Sequence, residues 1–513
     1  MMEISYVKEL YGQAEQELNQ FRPMMYDIYS HTMTGKNNWN NIITGNIGQR
    51  TDTIIYNVHP QIINSQFSAT MVSLTIPSGT KFFKIMSIDK LDDQDQFLKD
   101  IEPITDIILS QLNSSNFYQV ANESFMDLNA GTGGVLVNYD TKTRHIYFTS
   151  LDMSRVSFLE DNMGIVNYVF RKLGILDKNT QKRLYPEINF GQVDIDAVEC
   201  VYPYDGKFMH IITDTHFSKI YKQDISDTNP FIIFRWSKRP NENRGRGILN
   251  DIIGLIKVTN RMVKDIMDAS ALIISPPIIT NRGSVLNPQN IKIQPNSIIE
   301  LSDNQAMFKT FPVSPNLPFA FQEVATNNAT IDSAFMQNIL GTAGNGTLTA
   351  TEVNARMQLA SNVLGSAYGR IQREFLNPLI TRVINLLEDD GWFDIPITTI
   401  IDNNGKQQQR KLKLTYSSPI IDANETIDAQ KLMQAIQSTI QATGQPAYVS
   451  AGFKLENLPF YFSKAFGARM DVVNTPAETT ENLQQAVKMK QQMQQSNPAL
   501  QAPINAGGIP NVS

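Results

Sequence analysis

The chain has 513 residues and a mass of 57.7 kDa, enough for two or three packed units rather than one small core. Lys plus Arg total 44 against 50 Asp plus Glu, a formal charge of −6, which excludes a protein held on nucleic acid by bulk electrostatics. One cysteine, Cys200, excludes an intramolecular disulfide framework and any cysteine-based zinc module, and five scattered histidines leave no His-x-x-x-His pair.

In chain order, the first thirty residues read as a helix, with Val7, Leu10, Tyr11, Ala14, Leu18 and Phe21 at helical spacing. A polar, Asn-rich stretch follows at 35–49. A second helix is predicted from Pro60 to Leu74, ending before the turn signal Pro77-Ser78-Gly79, and a third from Asp93 to Asn113. Ala121 to Leu128 reads as helix up to Gly131-Thr132-Gly133-Gly134. The period then changes from 3.6 to 2, and strands are predicted at 135–139, 145–151, 166–171, 195–204, 209–214 and 230–236. Helix returns from Gly247 to Ala271. A strand-and-turn segment at 272–312 contains Pro276-Pro277. Helical stretches at 317–340 and 350–390 flank a glycine-rich break. The last hundred residues hold a few strands, a helix near 425–442, a Gln-rich helix near 476–495 and a Pro/Gly tail that reads as disordered. The most apolar run, Ala271 to Thr280, is broken by proline and far below the ~20 residues that span a bilayer. The start has no charged segment followed by an apolar one, so the expectation is an intracellular protein or one inside a particle made there.

A search for chemistry finds no Gly-x-Ser-x-Gly elbow and no His-Glu-x-x-His. The nearest approach to a phosphate loop, Gly341-Thr342-Ala343-Gly344-Asn345-Gly346-Thr347, lacks the lysine that must reach the phosphates and follows a helix rather than a strand. Cys200 reads as a small buried side chain, and the pairs Asp92-Asp93 and Asp389-Asp390 read as solvated turns. A nuclease or ligase would need clustered carboxylates or a complete phosphate loop. No enzyme and no cofactor is expected.

The stretch after the break has a capping box, Thr349 with Glu352, and then apolar residues from Val353 through Met357, Ala360, Leu364, Ala367, Ile371, Phe375, Leu379 and Val383 to Leu386. Forty residues at ~1.5 Å each make a rod of ~60 Å with a kink expected at Pro378. Such a stripe is expected to need other copies of the chain to cover it, hence a closed ring.

Leu348-Thr349-Ala350-Thr351-Glu352-Val353 with Arg356, Leu364-Gly365 and Phe375-Leu376-Asn377-Pro378-Leu379-Ile380 resemble the portal (head-to-tail connector) proteins of short-tailed, podovirus-type bacteriophages. Ser115-Asn116-Phe117-Tyr118, Gly131-Thr132-Gly133, Ser157-Phe158, Gly164-Ile165-Val166, Arg244-Gly245-Arg246-Gly247 and Ser275-Pro276-Pro277 agree, in the family's order, over residues 54–390. The resemblance implies an α+β portal-type fold. Its parts would be a wing (1–243), a first stem helix (244–271), a small α/β clip (272–316), a second stem helix (317–340), a channel loop (341–349), a returning wing segment (350–423), a helical crown (424–498) and a flexible tail (499–513).

It also implies a dodecameric ring at one capsid vertex, assembled in the host cytoplasm. Double-stranded DNA would pass through it during packaging and ejection. Its implied partners are the terminase large subunit, the major capsid protein and scaffold, and head-completion or tail adaptor proteins, with no membrane. The rival reading is another structural protein of the head–tail junction that never encloses DNA.

Four sets of residues then gain a role under this resemblance. Lys257, Arg261 and Lys264, at i, i+4 and i+7, form either a solvated helix face or a channel-facing or intersubunit stripe, opposite Ile252, Leu255, Ile256, Met262, Val263 and Ile266. Asn327 and Asn328 would give an amide-rich wall on which phosphates do not stick. Pro276 and Pro277, with Arg282 in the clip, either end a strand or protect an edge strand from wrong pairing. Gly341, Thr342, Gly344, Asn345, Gly346 and Thr347 are either a channel loop touching DNA or an ordinary connector.

Overall fold

Helix α1 (Ile4–Thr32) forms because its apolar side chains recur every three or four positions, and Val7, Leu10, Ala14, Leu18, Phe21, Met25 and Ile28 are all buried. The computed structural model describes residues 4–36, 39, 55–87, 94–190, 194–276, 278–281, 294–295, 298–301, 309–310, 317–336, 359, 364–393, 399–401, 407–409, 412–416, 419–444, 452–465, 474, 479–480, 482 and 485. Helix α2 (His59–Thr75) carries Pro60 in its first turn, as expected, and strand β1 (Phe83–Ser87) follows the Gly79 turn. Helices α3 (Gln94–Ser114) and α4 (Phe117–Asn129) come next. The last of these begins four residues before the expected Ala121, because Phe117 and Val120 share its buried face with Ala121, Ser124 and Phe125.

Strands β2 (Thr132–Asp140), β3 (His145–Ser150), β4 (Val156–Glu160) and β5 (Val166–Leu176) lead to the short helix α5 (Lys178–Leu184). Strands β6 (Ile195–Tyr204), β7 (Lys207–Asp214), β8 (Ile220–Ser226) and β9 (Phe231–Arg235) complete this part. β4 to β8 make a five-stranded antiparallel meander, while β2 runs between β3 and β9 in a second sheet. The N-terminal half of α1 lies on the meander: Val7, Leu10 and Ala14 pack with Phe170, Val198, Cys200, Tyr202, Met209 and Ile211. The lone cysteine is therefore a core side chain, as its isolation suggested.

One buried charge cluster stitches this meander. Glu199 accepts from Arg171 at 2.7 Å and faces His210 Nε2 at 2.7 Å. Burial alone raises its carboxyl, but Arg171 and then His210 outweigh burial and hold it down at about 2, against 4.5 for an ordinary glutamate. A depressed carboxyl contributes stability that is present above pH 4.5 and lost as the pH falls toward 2. Glu199→Gln should cost about 3 kcal/mol at pH 7, by stranding Arg171, and should flatten that acid limb. Thermal unfolding of both proteins between pH 2 and 7 checks this; an unchanged acid limb would refute it.

The short strands β10 (Ser237–Lys238) and β11 (Gly245–Arg246) pair and lead into the long helix α6 (Ile248–Ile274). Strands β12 (Ile278–Asn281), β13 (Ile298–Leu301) and β14 (Lys309–Thr310) form a small sheet in the order β13-β12-β14. Helix α7 (Leu317–Ala334) follows. It stops short of the expected residue 340, since Met336 takes a positive φ of 57°. Residues 364–371 are helical, pass through a π-helical turn at Gln372–Leu376, and continue as α8 (Asn377–Asp389). The π turn lies just before Pro378, where the sequence predicts a kink. Proline has no N–H for the carbonyl four residues back, and Asn377 N–H reaches Gln372 O, five residues back, instead.

The expectation that this stripe needs other copies fails for its described half. Leu364, Ala367, Ile371, Phe375, Leu379 and Val383 are buried within the single chain. Phe375 closes a cluster with Phe234 of β9 (4.5 Å between ring centres) and Phe125 of α4 (5.8 Å). The stretch 350–358 lies outside the described residues.

Strands β15 (Thr399–Ile401) and β16 (Gln407–Gln409) pair with each other, and β17 (Leu412–Tyr416) pairs antiparallel with β1. This first unit ends at Ser417. The second unit, from Ser418, contains α9 (Pro419–Thr443), closed by Gly444 in the left-handed region, a 3₁₀ turn at Leu455–Asn457, and α10 (Leu458–Ala465), which packs on α9. Of the expected Gln-rich helix, positions 479–480, 482 and 485 are described and helical; the tail 499–513 lies outside the described residues.

Candidate functional site

The most distinctive construction in the first unit is the helix pair α6 and α7, and the way its root is made. Two glycine motifs far apart in sequence meet there. Gly131 takes φ 127°, and a Cβ on Gly245 would overlap Gly131 O and lie 2.8 Å from Arg235 Cβ. A Cβ on Gly247 would overlap Asn129 O and sit 2.6 Å from Gly131 N. Only glycine permits this backbone-on-backbone approach. Gly245 N–H donates to Thr132 Oγ1 (3.0 Å) and Trp236 N–H to Gly131 O (3.0 Å), which clamp the crossing. Asn250 then caps the start of α6, its Oδ1 accepting from Gly247 N–H at 2.6 Å.

Beside the crossing lies a buried polar knot. Arg235, at the end of β9, is 1% exposed. Its guanidinium donates to both oxygens of Glu374 in the π turn (3.0 and 2.7 Å), to Glu160 at the end of β4, and to the Asn243 and Gly164 carbonyls. Lys238 also meets Glu160, and Arg370 meets Glu374 at 3.2 Å. Arg244, also buried, donates to the carbonyls of Met153 and Val156 and lies over the rings of Trp39 and Phe158. Burial brings its guanidinium down to about 10 despite Glu17 nearby, so it stays charged at neutral pH. Arg246 pairs with Glu242 at 2.7 Å and lies over Phe21 of α1. The Arg-Gly-Arg-Gly motif therefore anchors a helix and presents no guanidinium for a ligand.

α6 and α7 run in opposite directions: α6 leaves the body at Gly247, and α7 returns to it where Phe335 stacks edge-on against Phe67 at 5.4 Å. Midway, the segment 55–59 bridges both helices. Tyr56 N–H and Asn57 N–H donate to Asn260 Oδ1 (2.7 and 3.0 Å), Asn57 Nδ2 donates to Asn328 Oδ1 (3.0 Å), and His59 Nε2 is 2.7 Å from Asp332 Oδ1.

The sequence-selected residues fall around this pair, but not as one surface. Lys257 pairs with Asp27 of α1 at 2.8 Å, Lys264 lies 5.7 Å from the Tyr56 ring centre, and Arg261 pairs outward with Asp265 at 3.2 Å. The three cations share a helix stripe, yet two of them face the body. On the opposite face only Ile256 and Ile266 are buried; Ile252, Leu255, Met262 and Val263 are half-buried.

Asn327 and Asn328 are half-buried in the seam, toward Met262 and Asn57, so they do not form an outward amide wall. The exposed positions of α7 are Pro318, Phe319, Phe321, Gln322, Ala325, Thr326, Ala329, Thr330 and Ser333, with no charge among them. The hydroxyls of Thr326, Thr330 and Ser333 each donate back to a carbonyl four residues earlier. Pro276 is half-buried just before β12, which is the central strand of its sheet. Within the single chain Pro276 thus precedes a central strand rather than an edge strand. Pro277, Arg282 and the loop Gly341, Thr342, Gly344, Asn345, Gly346 and Thr347 lie outside the described residues.

Sequence reading missed Asn57, Asn260, Glu160 and Glu374. The available signal was weak: one asparagine inside an otherwise apolar helix face, and a glutamate four residues after Arg370.

A family model described as "Bacteriophage head to tail connecting protein" matches residues 5–473. The chain belongs to that family. The connector is thus a structural protein of the virion's head–tail junction, and the family has a structural role rather than an enzymatic one. No curated protein matches it. Among solved structures, chains described as "Neck of empty GTA particle computed with C6 symmetry" and "Virion of native gene transfer agent (GTA) particle" are similar to it at 12% identity. Each alignment covers 76% of this chain and 90% of the other, with TM-scores of 0.32 and 0.33. "Neck of native GTA particle computed with C12 symmetry" aligns at 12% identity over 73% and 85%, with a TM-score of 0.30.

Proposed function

We propose that the connector closes into a dodecameric ring at one capsid vertex and conducts double-stranded DNA during packaging and ejection. In this reading α6 and α7 are the two stem helices, residues 272–316 are the clip, 341–349 the channel loop, 1–243 with 350–423 the wing, and 424–498 the crown. The terminase large subunit would dock on the clip, the major capsid protein and scaffold would surround the wing, and head-completion or tail adaptors would follow the terminase.

The observation that carries the reading is the character of the two outward helix faces. α7 presents an uncharged face whose hydroxyls are already bonded to its own backbone. A surface of that kind gives phosphates no cation to hold, so a duplex slides past it. The pair also leaves large apolar side chains exposed in the single chain: Val258, Met267 and Ile274 (80%) on α6, and Phe319 and Phe321 at the outer end of α7. In a ring the neighbouring copy covers such residues, and closed symmetry leaves none of them over.

Electron microscopy of the purified full chain, without DNA or nucleotide, tests this. The expected particle is a twelve-fold ring with an open axial channel. A monodisperse 57.7 kDa species across micromolar concentrations would exclude the ring. An assembly without an axial opening would favour the rival reading, a junction protein that does not enclose DNA.

A further inference from the structure

We propose that the segment 55–59 is a strap that sets the register of α6 against α7 and fixes the pair to the body, with Asn57, His59, Asn260, Asn328 and Asp332 as its positioning residues. The proposal concerns the single chain and stands whether or not the ring reading holds.

The strap reaches both helices with hydrogen bonds of ordinary length, all at one level of the pair. Asn260 is 7% exposed and lies one helical turn from the buried Ile256. A buried polar side chain in an apolar seam costs stability unless its partners are in place, so it penalises every register but one. Asn260 finds its acceptor role satisfied only where the backbone N–H groups of Tyr56 and Asn57 arrive together. Asn57 then passes the constraint across the seam, since its Nδ2 reaches Asn328 while its Oδ1 accepts from His59 N–H at 3.2 Å. His59 completes the bridge one turn further along α7, at Asp332. A slide of α7 by one residue along α6 would move it ~1.5 Å and break the Asn57–Asn328 and His59–Asp332 contacts together.

The strap also divides the pair in two. Toward the body lie the glycine crossing, Ile256 and the Phe335–Phe67 contact. Beyond it, Met267, Ile273 and Ile274 of α6 and Phe319 and Phe321 of α7 are all exposed. Releasing the strap should therefore loosen α7 first. Its described buried side chains are few (Ile331 within the helix and Phe335 just after it), whereas α6 keeps its glycine root.

Hydrogen–deuterium exchange on the full-length protein tests the idea with two variants of different severity. Asn57→Ala removes the cross-seam bond; Asn260→Leu removes the acceptor under both backbone N–H groups. In each, amide exchange of α7 between residues 324 and 334 should accelerate at least tenfold, while exchange in the β4–β8 meander stays within twofold of the parent. Asp332→Asn, which keeps a polar group within reach of His59 Nε2, should give a smaller acceleration than Asp332→Ala. Unchanged α7 exchange in both Asn variants would overturn the strap. So would an acceleration shared equally by the meander, because that pattern means general destabilisation rather than a released contact.

Discussion

Gly245→Ala should abolish the native fold of the first unit. The new methyl group would overlap Gly131 O and press on Arg235 Cβ at 2.8 Å. Neither neighbour can give way, because the Gly131 carbonyl is held by Trp236 N–H and the Arg235 side chain is fixed by Glu374. Ordinary overpacking of a core costs about 1–3 kcal/mol because side chains can repack. Here the obstacle is backbone, and moving it also breaks the Gly245–Thr132 bond, so the expected loss exceeds about 4 kcal/mol. Gly254→Ala is the matched control. It lies on an exposed position of α6 with nothing within 4 Å of the added atom, and it should gain up to about 1 kcal/mol of helix propensity. Soluble yield and thermal unfolding of the two variants decide the matter. A Gly245→Ala protein melting within a few degrees of the parent would show that the crossing is looser than this geometry.

Arg235→Ala should be the most damaging single change away from that crossing. Glu374 and Glu160 are 14% and 9% exposed at the side chain, and Arg235 supplies most of their compensation. Removing one partner of a buried pair costs about 3–5 kcal/mol, chiefly through the charge left behind. Arg370 and Lys238 remain beside the two carboxylates, which puts the expected loss near the lower end. Adding Glu374→Gln to Arg235→Ala should recover part of the loss, because it removes one of the two buried charges left without Arg235. Denaturant unfolding of the parent, the single and the double variant measures both effects, and a double variant no more stable than Arg235→Ala would contradict the account.

Much of the local structure was legible from period and composition. α1, α2, α3 and α6 carry a 3.6-residue pattern over many positions, and the meander strands β5, β6 and β7 stand out as short β-branched and aromatic runs bounded by Asp, Asn and Gly. Strand β8 was not legible, because as the outer strand of the meander it carries Lys222, Gln223 and Asp224 where a core strand would alternate. Strand β1 was missed because its partner, β17, is remote in sequence. The glycine and arginine motifs stood out as motifs, but their meaning did not, since Gly131 and Gly245 explain each other only once they touch. Asn327 and Asn328 were legible as uncharged polar residues and were assigned the wrong face. On an 18-residue helix with weak segregation of apolar positions, nothing local says which polar side faces the seam. The strap had almost no local signal beyond Asn260 on the α6 face, because its bonds to the helices join residues 203 to 273 positions apart.

The pairing of β1 with β17 sets the order of events during synthesis. Phe83 lies opposite Tyr416, and both are buried once the strands have met. A ribosome adding about 5–20 residues per second needs roughly 20 to 70 seconds to travel from one to the other. Through that interval β1 waits with an unpaired edge beside Phe82 and Phe83, the kind of exposed strand that recruits a second nascent chain. On a polysome, where many copies of the nascent chain grow along one message, the delay is a window for misassembly that lasts until Leu412–Tyr416 has cleared the exit tunnel and can pair with β1.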